Sequence, residues 1–259
     1  MKAPMVVTDL TRMQRGNVCI GGYLRDYTCV RPVIPFRGIS EASLSLGPHV
    51  IRPFAVVAFA FLSDTPAPPH TEDREIHRSY HAYQQLLSPD RRQAILEHID
   101  SGTVRMIFGA EVHYDHGWYV RIGEGTRSLG TIQPAHIEEI RYGTRPIDKW
   151  EYRIVFTDST DERYNLAVTD LAFRYYLDYR RTTMGESPAA IAREMTETFR
   201  AARIFLRIGL TRGGRDADRC YLQITGVYTF PDYLDGHCFA DFLPAETAVH
   251  PVSDDEIPF

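Results

Sequence analysis

Two runs, FLRIGLTR at 205–212 and CYLQITGVYTF at 220–230, flank a polar loop from Gly213 to Asp218. Both runs are rich in β-branched and aromatic residues, and the loop carries two glycines and two aspartates, so the segment reads as a β-hairpin. Alternation sets Tyr221, Gln223 and Thr225 on one face of the second strand. A face that mixes Tyr, Gln and Thr is not a pure core face and suits ligand contact. Arg207 and Arg212 on the first strand, and Tyr228 on the second, complete a candidate nucleic-acid-binding surface.

Working back from the hairpin, Lys149–Thr157 alternates and Arg163–Val168 pairs with it across a turn at Asp158–Asp161. Asp170 is placed to cap a helix carrying Leu171 and Leu177. Ser187-Pro188 opens a second helix, with Ile191, Met195 and Phe199 four apart on one face. The first half has strand signals at 4–9, 18–23, 28–34 and 52–62, then a Pro-rich loop at 64–70. Helix signals follow: Thr71 ahead of acidic Glu72, Asp73 and Glu75, then Ser88-Pro89 with Ile95, Leu96 and Ile99 on one face. Strands are expected at 104–108, 111–114, 118–122 and 136–142. The pattern restarts after 144–148. The chain is therefore expected to be mainly β with interposed helices, built as two OB-like small β-barrels in tandem. These would span 1–146, with a helical insertion at about 71–101, and 147–242, followed by an acidic tail at 243–259. SH3-like or PUA-like barrels satisfy the same pattern.

The 259 residues are 44% hydrophobic and 24% charged, the balance of a globular chain with a sizeable core. No apolar run reaches membrane-spanning length, and the start has no charged and then apolar leader pattern, so a cytoplasmic protein is expected. Four scattered cysteines fit free thiols, and their spacing matches no zinc site. The net charge of −5 excludes a uniformly basic nucleic-acid coat, but the charge is uneven. Seven acids and no Lys or Arg lie between Asp232 and Phe259, and removing those acids turns −5 into +2. Residues 1–52 hold seven bases against three acids. Arg12, Arg15, Arg25 and Arg31 interleave there with Tyr23 and Tyr27, a pattern able to track phosphates and stack bases.

The last six residues, Asp254, Asp255, Glu256, Ile257, Pro258 and Phe259, resemble the C-terminal tip of bacterial single-stranded-DNA-binding proteins. In that family the tip recruits repair and replication enzymes. The chain as a whole resembles the dual OB-containing domain family, found in bacterial proteins near defence or DNA-modification genes. That resemblance rests on 7–13 (VTDLTRM), 29–33 (CVRPV), 209–212 (GLTR) and 226–234 (GVYTFPDYL). It implies two OB-like barrels and nucleic-acid or nucleotide binding, without an established activity.

The leading expectation is thus a non-enzymatic binder of single-stranded nucleic acid, DNA first, with a tail that recruits protein partners and can compete for the chain's own groove. The second is a protein-interaction or nucleotide-sensing module in a defence or DNA-modification system. A third, a metal-dependent nuclease using Asp232, lacks the downstream acid-x-Lys of such sites. No phosphate loop or hydrolase motif is present, and no cofactor is expected.

Overall fold

The computed structural model describes residues 2–145, 149–213 and 218–243, without the side chains of 78–80 and 145. Five strands close into a barrel: β1 (Lys2–Arg12), β2 (Asn17–Tyr23), β3 (Cys29–Val33), β4 (Ala55–Asp64) and β5 (Asp73–Leu86). Around the barrel the order is β1, β4, β5, β3, β2 and back to β1. The β3–β5 pair is parallel and the others antiparallel. After β5 comes helix α1 (Pro89–His98).

The second sheet begins with β6 (Trp118–Arg121), β7 (Leu129–Ile132) and β8 (His136–Arg145). It continues with β9 (Lys149–Thr157) and β10 (Arg163–Val168). Helices α2 (Leu171–Thr182) and α3 (Pro188–Ala201) follow, then β11 (Arg203–Leu210) and β12 (Arg219–Phe230). Its order is β7, β11, β12, β10, β9, β8, with β10–β12 parallel and β6 beside β12. β7 and β8 are neighbours in sequence but lie at opposite ends of that order, so this sheet stays open. If they are counted as one strand broken at Gln133-Pro134-Ala135, the second sheet repeats the strand order of the first.

The expectation of a mainly β chain with interposed helices is met, and the closed barrel is consistent with an OB-like unit. The hairpin expected at 205–230 is present, paired from Arg203↔Phe230 to Leu210↔Leu222. Asp170 caps α2, its Oδ1 accepting from the Phe173 amide at 2.9 Å. Ile191, Met195 and Phe199 are buried together. Strands between His113 and Arg145 pair within the second sheet, so its material begins well before residue 147. Among the described residues, no helix is long and apolar enough to cross a membrane.

Two segments differ from expectation. Residues 73–86 form a long strand, and only 89–98 of the expected 71–101 insertion is α-helical. The acids that resemble a helix start are buried ligands of other groups: Glu72 accepts from the Ser128 and Leu129 amides, and Asp73 from two arginines. Residues 104–106 form a 3-10 turn in place of a strand. Val104, Ile107 and Phe108 are all fully buried, and that i, i+3, i+4 spacing is helical.

The two sheets pack as one body. The first turn of α2 places Leu171 and Ala172 in the barrel core, while Phe173 and Leu177 enter the core of the second sheet. A separate apolar cluster joins Phe54 and Val56 of the barrel region to Leu96 of α1 and to Phe205 and Tyr228. Each sheet also carries a β-bulge at this joint, at Thr8 in β1 and at Thr225 in β12. A bulge frees backbone groups and re-aims side chains. Here the Thr8 carbonyl accepts from the Tyr228 hydroxyl at 2.7 Å, and the Thr225 hydroxyl donates to Asp9 at 2.6 Å.

Candidate anion-binding cleft

Between the bulges sits a buried ion pair. Arg207 of β11 has no solvent exposure, and its Nε and Nη2 donate to the Asp9 carboxylate of β1 at 2.8–3.1 Å. Its Nη1 donates to Tyr23 Oη at 2.9 Å and Thr131 Oγ1 at 2.8 Å. Every nitrogen of this guanidinium has a partner. A charge this deep is tolerated only when it is paired and hydrogen-bonded. Tight packing against it leaves no room for a Cβ at Gly226, where one would stand 2.8 Å from the Tyr228 hydroxyl and 3.1 Å from the Thr8 carbonyl.

Beside this joint, a cleft of about 590 Å³ opens between the sheets. Five arginines line it: Arg12, Arg15, Arg31, Arg174 and Arg212. Asp9 is the one carboxylate among its described lining residues, and it is committed to Arg207. Arg31 is 3% exposed and donates from Nε to Asp73 Oδ1 at 2.6 Å. Arg212, half-exposed, donates to the other Asp73 oxygen at 2.6 Å. A single carboxylate therefore serves two guanidiniums.

Two buried donors among the lining arginines are unsatisfied. Nη2 of Arg31 and Nε of Arg174 are buried with no hydrogen-bond partner, and the Arg174 guanidinium lies 4.3 Å over the Tyr152 ring. Leaving such a donor unpaired costs about 1–3 kcal/mol, more when it is charged. Arg15 makes no ion pair among the described residues, and Arg12 lies 5.5 Å over the Tyr175 ring. Thr11, Thr211, Asn17 and Gln223 supply neutral hydrogen-bonding groups around the arginines. Next to the cleft, His70 has both ring nitrogens buried without partners. Burial, and then Arg31 and Arg212, hold its pKa down to about 4, so it is neutral at pH 7. Burial pushes the Cys19 thiol up against the pull of the same two arginines, which leaves it protonated.

Of the residues singled out in the sequence, Arg12, Arg15, Arg31, Arg212 and Gln223 converge on this cleft. Others do not lie in it. Arg207, Tyr23 and Tyr228 are buried in the joint, at 0%, 6% and 8% exposure, so they are fixed parts of the fold rather than surface contacts or stacking platforms. Tyr221 lies against Tyr119, ring centroids 6.0 Å apart. Arg25 is exposed in the turn after β2, at the opposite end of that strand from Asn17, and Tyr27 beside it packs on His98 at 3.9 Å. Sequence reasoning passed over Arg174; its signal was an arginine in the first turns of a capped helix that follows directly on a strand. The tip residues Asp254, Asp255, Glu256, Ile257, Pro258 and Phe259 lie outside the described residues.

Asp232 spends its carboxylate on its own turn, accepting from the Leu234 and Gly236 amides at 3.1 and 3.2 Å. Among the described residues, no group of three His, Cys, Asp or Glu side chains is placed to hold a metal ion. No family model, curated protein or solved structure matches this chain, so its function is read from the cleft itself.

Proposed function

We propose that this chain is a non-enzymatic nucleic-acid-binding protein, built on two OB-like barrels, that takes the phosphates of a single strand in the inter-sheet cleft. The observation that carries this reading is Arg31: a buried guanidinium with an unpartnered nitrogen in a cleft lined by four further arginines. Such a surplus of planar donors matches phosphate oxygens. The repeated strand order, with one barrel closed and the other open along a split first strand, supports the OB-like assignment. Recruitment of repair, replication or defence partners by residues 254–259 is a proposal that rests on the sequence alone.

A nucleotide-sensing module is the second reading. It is favoured by the bounded volume of the cleft, which is within the range of small-ligand sites, and by the burial of Tyr23 and Tyr228. Fluorescence titration with oligo-dT, duplex DNA and nucleoside triphosphates separates the two. The strand-binding reading predicts micromolar or tighter binding to oligo-dT that weakens as salt rises, with log K falling at a slope of about −0.7 per phosphate neutralised. Binding of triphosphates without oligo-dT selects the second reading. Binding of none removes both.

A further inference from the structure

The arginine cleft has an annexe. A second hollow of about 290 Å³ adjoins it, and Met13, Cys19 and Arg212 line both. Its walls are otherwise largely apolar, Val18, Val33, Ile34, Pro35 and Ile39, beside the Asp73 carboxylate that pairs with Arg31 and Arg212. The side chain of Met13 is 45% exposed at the shared boundary. At the rim, between Pro35 and Gly38 of the annexe, stands Phe36, fully exposed and held at φ +66°. A bulky residue in the left-handed region is an outlier that the sequence would ordinarily give to Gly or Asn. Its ring is open to solvent on every side, so core packing does not account for it.

An arginine-lined half joined to an apolar half describes a ligand with an anionic end and a flat, weakly polar end. We infer that the annexe seats the base of a nucleotide unit whose phosphates occupy the arginine cleft, with Phe36 closing over that base. This rests on the phosphate-binding reading above and adds the base to it. Arg212 stands where the two hollows meet, where a guanidinium plane can stack on the base while its edge donates to phosphate. Met13 gives the base an adaptable, polarisable wall. The unit can belong to a free nucleotide or to one residue of a single strand, since both present the same chemistry.

The test compares ligands that differ only in the base. Isothermal titration would measure the four nucleoside triphosphates against ribose 5-triphosphate, and oligo-dT against an abasic oligonucleotide of equal length. In the wild-type chain, at least one base-bearing ligand should bind about tenfold or more tightly than its base-free counterpart. Whether that ligand is a triphosphate or the oligonucleotide identifies the source. Phe36→Gly combined with Met13→Ser should bring the ratio close to one, and Phe36→Gly alone, which lies outside the arginine cleft, should leave the base-free affinity unchanged. Phe36→Gly also relieves the left-handed backbone, so the melting temperature should hold or rise, which distinguishes a missing base seat from an unfolded chain. Equal affinities in the wild type, or a ratio that survives the double substitution, overturns the base seat while the phosphate reading stands. Absence of binding by every ligand removes the phosphate reading and the base seat with it.

Discussion

Arg207 and Arg31 lie between or beside the same two sheets and are almost equally buried, yet they are in opposite states. Arg207 is saturated: Asp9, Tyr23 and Thr131 engage all three of its nitrogens. Arg31 is not: one nitrogen meets Asp73 and another, equally buried, meets nothing. The carboxylate count explains the contrast, because Asp9 serves one guanidinium and Asp73 serves two. A saturated buried arginine is part of the fold's joinery. An unsaturated one, in the lining of a cleft shared with other arginines, is the observation on which the proposed phosphate site rests.

The largest effect should come from breaking the saturated side. Asp9→Ala leaves the Arg207 guanidinium buried without its counter-charge, and should cost about 3–5 kcal/mol of stability in urea denaturation. A loss under about 1 kcal/mol would mean that the joint does not depend on this pair, and the contrast with Arg31 would lose its meaning.

That pair also shows what the sequence could convey. The hairpin at 205–230, the α2 cap at Asp170 and the apolar stripe of α3 were legible, because each is set by local periodicity and capping chemistry. Most of the cleft was legible as well, since Arg12, Arg15, Arg31 and Arg212 stand out in runs otherwise given to strands. The role of Arg207 was not, because its state is decided by an aspartate 198 residues away. Strand β5 was hidden for two physical reasons. Its leading acids, Glu72 and Asp73, are ligands of distant groups, and three register shifts against β4 break the alternation that would mark it as a strand.

A smaller effect should come from the neutral neighbour of the cleft. His70 has a folded-state pKa of about 4, below the ordinary 6.5. Between those values the unfolded chain takes up a proton that the folded chain refuses, so stability should fall as pH drops from 6.5 towards 4. The change should be on the order of 1–3 kcal/mol, and His70→Gln should flatten that part of the stability–pH curve. An unchanged curve would mean that neither burial nor the arginines beside it lowers the pKa of His70.

The smallest change in free energy tests the central claim most directly. Arg12→Ala with Arg15→Ala removes two exposed guanidiniums from the unsaturated side and should leave the melting temperature within error, since neither is buried or paired with a described carboxylate. Binding to oligo-dT or to a nucleoside triphosphate, whichever the wild-type chain prefers, should then weaken about tenfold, near 1.4 kcal/mol. For oligo-dT the salt slope should also become shallower by about 0.7 for each phosphate no longer neutralised. Wild-type affinity and an unchanged salt dependence in the double variant would contradict the assignment of this cleft as the phosphate-binding site.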